Sequence, residues 1–135
     1  MSFENLNVGA KNFVDAIVTE NDTALAMKSG SLKVLATPKI ICLVEEAAAT
    51  LAEKFLPAEY TSVGTNLNVN HVAPTPIGFN VRAEVELIEV DERKLIFNVS
   101  AVDDAGEILN GRHERFIVNR EKFQAKANSK GRRNL

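Results

Sequence analysis

Three residues of this chain have types and spacings suited to acid–base chemistry: Thr37, Glu45 and His71. His71 ends a strand-like run over residues 61–71 and precedes a loop, residues 72–78, that two prolines stiffen. Because strand side chains alternate between two faces, His71 falls on the apolar side of the run, with Val63, Thr65, Leu67 and Val69. An imidazole there is placed to transfer protons at neutral pH. A core histidine with a satisfied hydrogen bond is the alternative.

The other two residues lie on a helix that we predict from about Pro38 to Phe55, with Thr37 as its N-cap. The apolar stripe of this helix consists of Ile40, Val44, Ala47, Ala48, Leu51 and Phe55. Glu45 lies about 100° from the centre of the stripe and Glu46 about 160° from it. Glu45 therefore borders the packed face, and Glu46 points away from it. Free N–H groups at the helix start suit a developing oxyanion beside Thr37, although capping alone would explain the threonine.

The remaining pattern predicts an antiparallel sheet that the helix covers. A first strand is expected at residues 10–20, followed by an irregular segment at residues 21–36. The later strands are predicted at residues 61–72, 79–90, 94–103 and 107–119. Short turns join the last three, so these should pair as hairpins. One long helix across about five antiparallel strands gives an α+β domain.

Composition indicates one soluble domain of 135 residues, with a net charge of −2 and no run long enough to cross a membrane. No signal-peptide pattern opens the chain, and a single cysteine, Cys42, excludes an internal disulfide. Together these features predict a cytoplasmic protein and no binding to nucleic acid or membrane. We expect Cys42 to be a packed, inert thiol.

The C-terminal segment differs in charge from the rest of the chain. Residues 120–135 hold six basic residues and one acid, so this segment is +5 and the remainder −7. We place the domain at residues 1–123 and a basic tail at residues 124–135. A solvated, partly disordered tail is expected. Attraction for the phosphates of a ligand, by the tail or by Arg112 and Arg115, is the functional alternative.

Metal and cofactor signatures are absent from the sequence. His71 and His113 have no companion residue at metal-ligand spacing. The glycine-containing segments at residues 8–10 and 29–31 lack the spacing of a phosphate-binding loop. We therefore expect no metal and no cofactor. His113, within residues 111–115, is interpreted mainly as structural, with ligand contact as the less favoured alternative.

Several short motifs together resemble the hotdog-fold thioesterases, and more specifically the fluoroacetyl-CoA thioesterase group. They are Ala36-Thr37-Pro38, Leu43-Val44-Glu45, Val63-Gly64-Thr65 and the string from His71 to Phe79, H-V-A-P-T-P-I-G-F. The family has a threonine, a glutamate eight residues later and a histidine twenty-six residues after that, and Thr37, Glu45 and His71 match both intervals. The resemblance extends to about Phe123.

The resemblance implies a hotdog fold, with a curved sheet wrapped around the helix, and hydrolysis of an acyl-CoA thioester. His71 and Glu45 would activate the attack on the thioester, or Glu45 would attack the thioester directly. Thr37 would position one of these two residues or the acyl group. The backbone N–H of Gly64 would help to hold the thioester oxygen. Hotdog domains pair, so a homodimer or a dimer of dimers is expected, with the active sites at the interface.

Two other functions compete with hydrolysis. A hotdog dehydratase or hydratase would place a histidine before the helix, whereas both histidines here follow it. A non-catalytic acyl-CoA-binding module would use the same pocket as a hydrolase. The fluoroacetate-specialised relatives also have an aromatic lid before the helix, and the matching stretch, residues 26–33, contains no aromatic residue. The resemblance therefore supports a general thioesterase more strongly than fluoroacetyl selectivity.

Overall fold

The computed structural model describes residue 3 and residues 6–131 and contains one antiparallel sheet of five strands. The strand order in space is β1-β3-β4-β5-β2. The strands are β1 (Lys11–Ile17), β2 (Tyr60–His71), β3 (Asn80–Asp91), β4 (Lys94–Asp103) and β5 (Gly106–Asn119). The helices are α1 (Ala24–Met27), α2 (Thr37–Glu53) and α3 (Arg120–Lys130). The predicted α+β class, five strands and both hairpins are confirmed.

Helix α2 packs across one face of the sheet and forms the core with it. The buried side of α2 consists of residues at helical spacing: Ile40, Leu43, Val44, Ala47, Ala48, Leu51 and Ala52. The strands contribute alternating buried residues, such as Val81, Ala83, Val85 and Leu87 of β3. Burial of apolar area on both elements is the main stabilising term, at roughly 25 cal/mol per Å². Strand β2 lies at one edge of this sheet, so one side of it has no strand partner within the described chain.

The predicted alternation along β2 is wrong in its first half, because a β-bulge shifts the register between Gly64 and Asn66. Partners on β5 identify the inner face: Ser62 lies opposite buried Ile117, and Leu67 lies opposite buried His113. The inward residues are therefore Ser62 and Gly64 before the bulge, and Leu67, Val69 and His71 after it. An inserted residue exchanges the two faces of a strand, which strict alternation cannot anticipate.

Two segments expected to lack regular structure contain helices. Within residues 21–36 the chain forms part of a short 3₁₀ helix, Glu20–Asp22, and then α1, whose N-cap Thr23 accepts a hydrogen bond from the Ala26 N–H. The described part of the basic segment forms α3, capped by Asn119, whose side chain accepts from the Lys122 N–H. The boundary that we predicted after Phe123 falls inside α3, and residues 132–135 lie outside the described chain.

Candidate active site

The loop before β3 brings the end of β2 to the start of α2. Buried Thr75 donates a hydrogen bond to Asp103 at 2.7 Å, and its carbonyl accepts from the Leu35 N–H at 2.9 Å. Burial opposes ionisation of Asp103, but the donors Thr75, Ala105 and Gly106 outweigh it and lower the pKa of its carboxyl. The stiff loop is thereby attached to the residues that lead into α2.

Thr37 and His71 meet at this junction, where Thr37 Oγ1 lies 2.6 Å from His71 Nδ1. Thr37 is the first residue of α2, and the N-cap is Ala36, which has no capping side chain. Our prediction of Thr37 as N-cap is therefore wrong, because its hydroxyl is engaged by the imidazole instead. His71 Nε2 is buried and has no hydrogen-bond partner among the described residues. This leaves one imidazole nitrogen for a ligand.

Glu45 and Glu46 have the different environments that helical geometry predicts. Glu45 is half-buried, and Glu46 is exposed. The Glu45 carboxylate lies 3.8 Å from the Arg115 guanidinium, measured from Oε2 to Nη1. The predicted placement of Glu45 at the border of the packed face and of Glu46 in solvent is confirmed.

Gly64 leaves the space that the Glu45 carboxylate occupies. A Cβ atom added at Gly64 would lie 2.8 Å from Glu45 Oε2 and 3.2 Å from His113 Cε1. Real Cβ atoms essentially never come so close to an oxygen, so any larger residue would push the carboxylate away. The glycine thus permits the close approach of the strand and the carboxylate.

Arg115 supports Glu45 from inside the protein. Its side chain is 8% exposed and donates from Nε to Ser62 Oγ at 2.8 Å and from Nη2 to the Ser62 carbonyl at 3.0 Å. Burial lowers the pKa of the guanidinium, and Glu45 and Glu53 oppose that effect. An arginine remains charged under such shifts. It therefore presents a fixed positive charge to Glu45.

His113 completes this cluster as a buried neutral ring. Its Nδ1 lies 2.8 Å from the Asn66 carbonyl and its Nε2 lies 3.1 Å from Arg115 Nη1. A carbonyl only accepts and a guanidinium only donates, so the proton is on Nδ1 and Nε2 accepts from Arg115. Burial lowers the pKa of His113, and the nearby Arg115 charge lowers it further. These contacts agree with the structural role predicted for His113, because its ring supports Arg115.

The six predicted site residues do not form one cluster. Thr37 and His71 pair at the start of α2, whereas Gly64, Glu45 and Arg115 meet further along it. Arg112 is exposed and lies on the opposite face of β5 from Arg115, so the two cannot form one phosphate site.

Three further observations concern features outside the candidate site. Cys42 is exposed, so our prediction of a packed thiol is wrong: residue 42 lies near Glu46 on the outer flank of α2. Across residue 3 and residues 6–131, no three His, Cys, Asp or Glu side chains converge in a way that could hold a metal ion. In the same part of the chain, no helix has the length and apolar character needed to cross a membrane.

Within one chain, the predicted site residues lie far apart along both α2 and β2. Thr37 and Glu45 are eight residues apart on α2, which corresponds to a rise of about 12 Å. Gly64 and His71 are seven residues apart on β2, or about 23 Å along the strand. A single small acyl group cannot touch both halves of the same chain.

Known proteins resemble this chain in sequence and in structure. The profile of the FlK family, described as fluoroacetyl-CoA-specific thioesterase, matches residues 18–121. A fluoroacetyl-CoA thioesterase from Streptantibioticus cattleyicolor is 39% identical over 98 residues, which are 73% of this chain and 70% of that protein.

Solved structures agree with these matches. A structure of the fluoroacetyl-CoA thioesterase FlK superposes with a TM-score of 0.88 at 33% identity, covering 93% of this chain and 97% of the other. A hot-dog-like protein from Thermanaerovibrio acidaminovorans superposes with a TM-score of 0.87 at 22% identity, covering 96% and 97% of the two chains, and supports the fold alone. The chain therefore has the hotdog fold, belongs to the fluoroacetyl-CoA-specific thioesterase family and is a thioester hydrolase.

Proposed function

We propose that the protein hydrolyses a small acyl-CoA thioester to the free acid and CoA, using Thr37, Glu45 and His71 with the backbone of Gly64. One observation carries this proposal. A partly exposed carboxylate, Glu45, lies between a buried guanidinium and a glycine whose missing side chain leaves the space that the carboxylate occupies. A thioester has a good leaving group, so one positioned carboxylate and donors for the carbonyl oxygen suffice.

In the proposed reaction, Glu45 accepts a proton from a water molecule as the water oxygen bonds to the thioester carbon. The electron pair of the C=O double bond moves to the carbonyl oxygen, which accepts hydrogen bonds from His71 Nε2–H and Gly64 N–H. When the double bond re-forms, the C–S bond breaks and the CoA thiolate takes the proton from Glu45. The Thr37 hydroxyl donates to His71 Nδ1 and thereby keeps the proton of the neutral ring on Nε2.

Direct attack by Glu45 would give a mixed anhydride instead. Borohydride quenching of a single turnover distinguishes the two routes, because borohydride reduces an anhydride at Glu45 to an alcohol. Attack by water, as we propose, leaves the Glu45 side chain unchanged in mass. A Glu45 side chain converted to the alcohol would show direct attack.

We propose that two subunits form each active site, because the two halves are too far apart in one chain. Strand β2 is a 12-residue edge, and such edges are usually covered by pairing. Antiparallel pairing of two β2 strands about a twofold axis near Leu67 and Asn68 would bring His71 of one subunit opposite Gly64 of the other. Leu67 on the inner face is 36% exposed in the single chain, as expected for a residue that a second copy covers.

Subunit mixing tests this arrangement. Glu45→Gln and His71→Ala homodimers should both retain no more than about 1% of wild-type turnover. A mixed dimer keeps one intact site if each site takes His71 and Glu45 from different subunits, so re-equilibration of equal amounts should restore about a quarter of wild-type turnover. A mixture as inactive as its components, with mixed dimers verified by mass, would show that each site is built within one chain. Light scattering gives a separate check, since a stable 14.8 kDa monomer at micromolar concentration contradicts a dimer.

Release of free thiol from acetyl-CoA is the first experiment for the function itself. We expect turnover without any added metal or nucleotide. Saturable binding of acyl-CoA without thiol release would show instead a non-catalytic acyl-CoA-binding module. Loss of turnover after chelation, restored by a divalent ion, would contradict the metal-free mechanism.

We further propose that the enzyme does not select strongly for fluoroacetyl-CoA. The stretch at residues 26–33 has no aromatic side chain, and Met27 and Leu32 there are exposed. Without a rigid aromatic cover, one fluorine has little to distinguish it from hydrogen. We expect kcat/KM for fluoroacetyl-CoA and acetyl-CoA to agree within about tenfold, the scale of discrimination that one small group gives in an apolar pocket. A preference of several thousandfold would contradict this.

A further inference from the structure

A surface cavity of about 310 Å³ lies beside α3, away from the residues proposed for hydrolysis. Its walls come from the start of β2, the turn between β3 and β4, the end of β5 and α3. Its lining includes three aromatic residues, Tyr60, Phe116 and Phe123, and three cations, Arg93, Lys122 and Lys126. The volume is at the lower end of the range for small-molecule sites.

The charges of this α3 cavity set it apart from other depressions on the protein. None of the described residues that line it is acidic. By contrast, cavities of about 490 and 470 Å³ elsewhere include Glu84 in their linings. Within residue 3 and residues 6–131, Arg93, Lys122 and Lys126 form no ion pair. In a chain with a net charge of −2, these three cations favour the binding of an anion.

Aromatic rings accompany the cations. Phe116 and Phe123 are 42% and 43% exposed, so both rings can contact a ligand. The Arg93 guanidinium lies 5.7 Å from the centre of the Tyr60 ring, which orients the cation at the cavity wall. Exposed rings beside cations favour a ligand that combines a flat heterocycle with phosphates.

Helix α3 is anchored, so the cavity has fixed walls. The Arg120 N–H donates to the Glu59 carbonyl at 3.0 Å, and its guanidinium donates to the Ala58 carbonyl at 2.9 Å and to the Glu53 carboxylate. At the N-cap, Asn119 Oδ1 accepts a hydrogen bond from the Lys122 N–H at 3.0 Å. These contacts hold the first turn of α3, which supplies Lys122 and Phe123.

We propose that the α3 cavity binds the adenosine 3′,5′-bisphosphate end of CoA. This inference rests on the proposed function, because CoA joins the reacting thioester to a purine and to phosphates. Tyr60 lies four residues before Gly64 on β2, a distance of about 13 Å along the strand. The pantetheine arm and pyrophosphate of CoA span that distance. The nucleotide therefore binds to the subunit whose Glu45 acts on the thioester.

Calorimetric titration with adenosine 3′,5′-bisphosphate tests the site without any turnover. We expect wild-type protein to bind it, with an affinity that falls as salt increases. Lys122→Ala combined with Lys126→Ala should weaken binding at least about tenfold, because two charge-assisted contacts are removed. Phe116→Ala should also weaken it. Lys130→Ala, a cation on α3 outside the cavity, is the matched control and should bind as wild type does.

Kinetics on two substrates separate this inference from the proposed function. S-acetyl-pantetheine carries the thioester but no nucleotide. The ratio of kcat/KM for acetyl-CoA to that for S-acetyl-pantetheine should fall about tenfold in the double lysine variant and stay constant in Lys130→Ala. If wild-type protein hydrolyses neither substrate, the proposed function fails, while the titration still reports on the cavity.

Two results would overturn the cavity assignment. One is equal nucleotide affinity in wild type and the double lysine variant, with folding of both verified by circular dichroism. The other is binding of an acidic acyl carrier protein to α3 when the bisphosphate does not bind, which would make α3 a protein-docking surface.

Discussion

The two regions of the helix–sheet interface that we propose for hydrolysis contain different chemical groups. At the start of α2, an uncharged hydroxyl and an imidazole share one hydrogen bond of 2.6 Å, and the loop before β3 holds them in place. Further along α2, Glu45 lies beside a buried arginine that a serine and a neutral histidine hold. The first region offers a hydrogen-bond donor and the second a fixed carboxylate. The separation of the two regions supports our proposal that each active site takes one region from each of two subunits.

Removing the imidazole should give the largest loss in the first region. We expect His71→Ala to lower turnover by about 100-fold, the typical contribution of a positioned acid–base or oxyanion group. Asn70→Ala, at the neighbouring exposed position on the other face of β2, is the control. Wild-type turnover in His71→Ala would remove the first region from the mechanism.

Crowding the carboxylate should give the next largest loss, in the second region. Gly64→Ala would place a methyl group 2.8 Å from Glu45 Oε2, so Glu45 must move. Displacement on this scale should reduce turnover between about 10- and 100-fold. Gly131→Ala, remote from the site, should be silent. Thermal unfolding of both variants separates displacement of Glu45 from loss of folding.

The threonine should matter less than the imidazole that it orients. Thr37→Ala removes one hydrogen bond, and we expect about a tenfold loss of turnover. Thr37→Ser retains the hydroxyl and should stay close to wild type. The losses in Thr37→Ala and His71→Ala should not multiply in the double variant, because the pair acts as a unit. Full multiplication would show that Thr37 acts separately from His71.

The smallest effect should appear in stability, through the buried histidine of the second region. The folded state lowers the pKa of His113, so below the ordinary value of about 6.5 the unfolded chain binds more protons. The free energy of unfolding should therefore fall as pH decreases through that value, by at most about 1.4 kcal/mol per pH unit. Chemical denaturation between pH 7.5 and 5.5, roughly one unit either side of that value, measures the slope. His113→Gln should flatten it, and an unchanged slope would contradict the buried neutral ring.

Local patterns in the sequence were sufficient to predict much of this structure. Apolar spacing predicted α2, and helical geometry separated Glu45 from Glu46. Alternating residues predicted β3 and β4, and short turns predicted both hairpins. Apolar residues repeat about every 3.6 residues in a helix and every 2 residues in a strand, so these spacings show directly which face of each element is buried.

Features that depend on contacts between distant residues could not be predicted in this way. The bulge after Gly64 requires knowledge of its register with β5. The Thr37 hydroxyl serves His71, thirty-four residues away, rather than the helix end. The support of Arg115 by Ser62 and His113 likewise exists only once β2 and β5 are paired. Helix α3 has no apolar stripe, and only its Asn119 cap and its helix-favouring residues could have indicated it.

We propose that Glu45 performs the chemistry and that its neighbour Glu46 does not. Glu45→Gln keeps the size of the side chain and removes its ability to accept a proton. The most direct test measures thiol release by Glu45→Gln and Glu46→Gln, with folding of both verified by circular dichroism. We predict a loss of about 100-fold or more in Glu45→Gln and nearly wild-type turnover in Glu46→Gln. Equal turnover in the two variants, or a larger loss at Glu46, would contradict the placement of the active site beside Gly64 and Arg115.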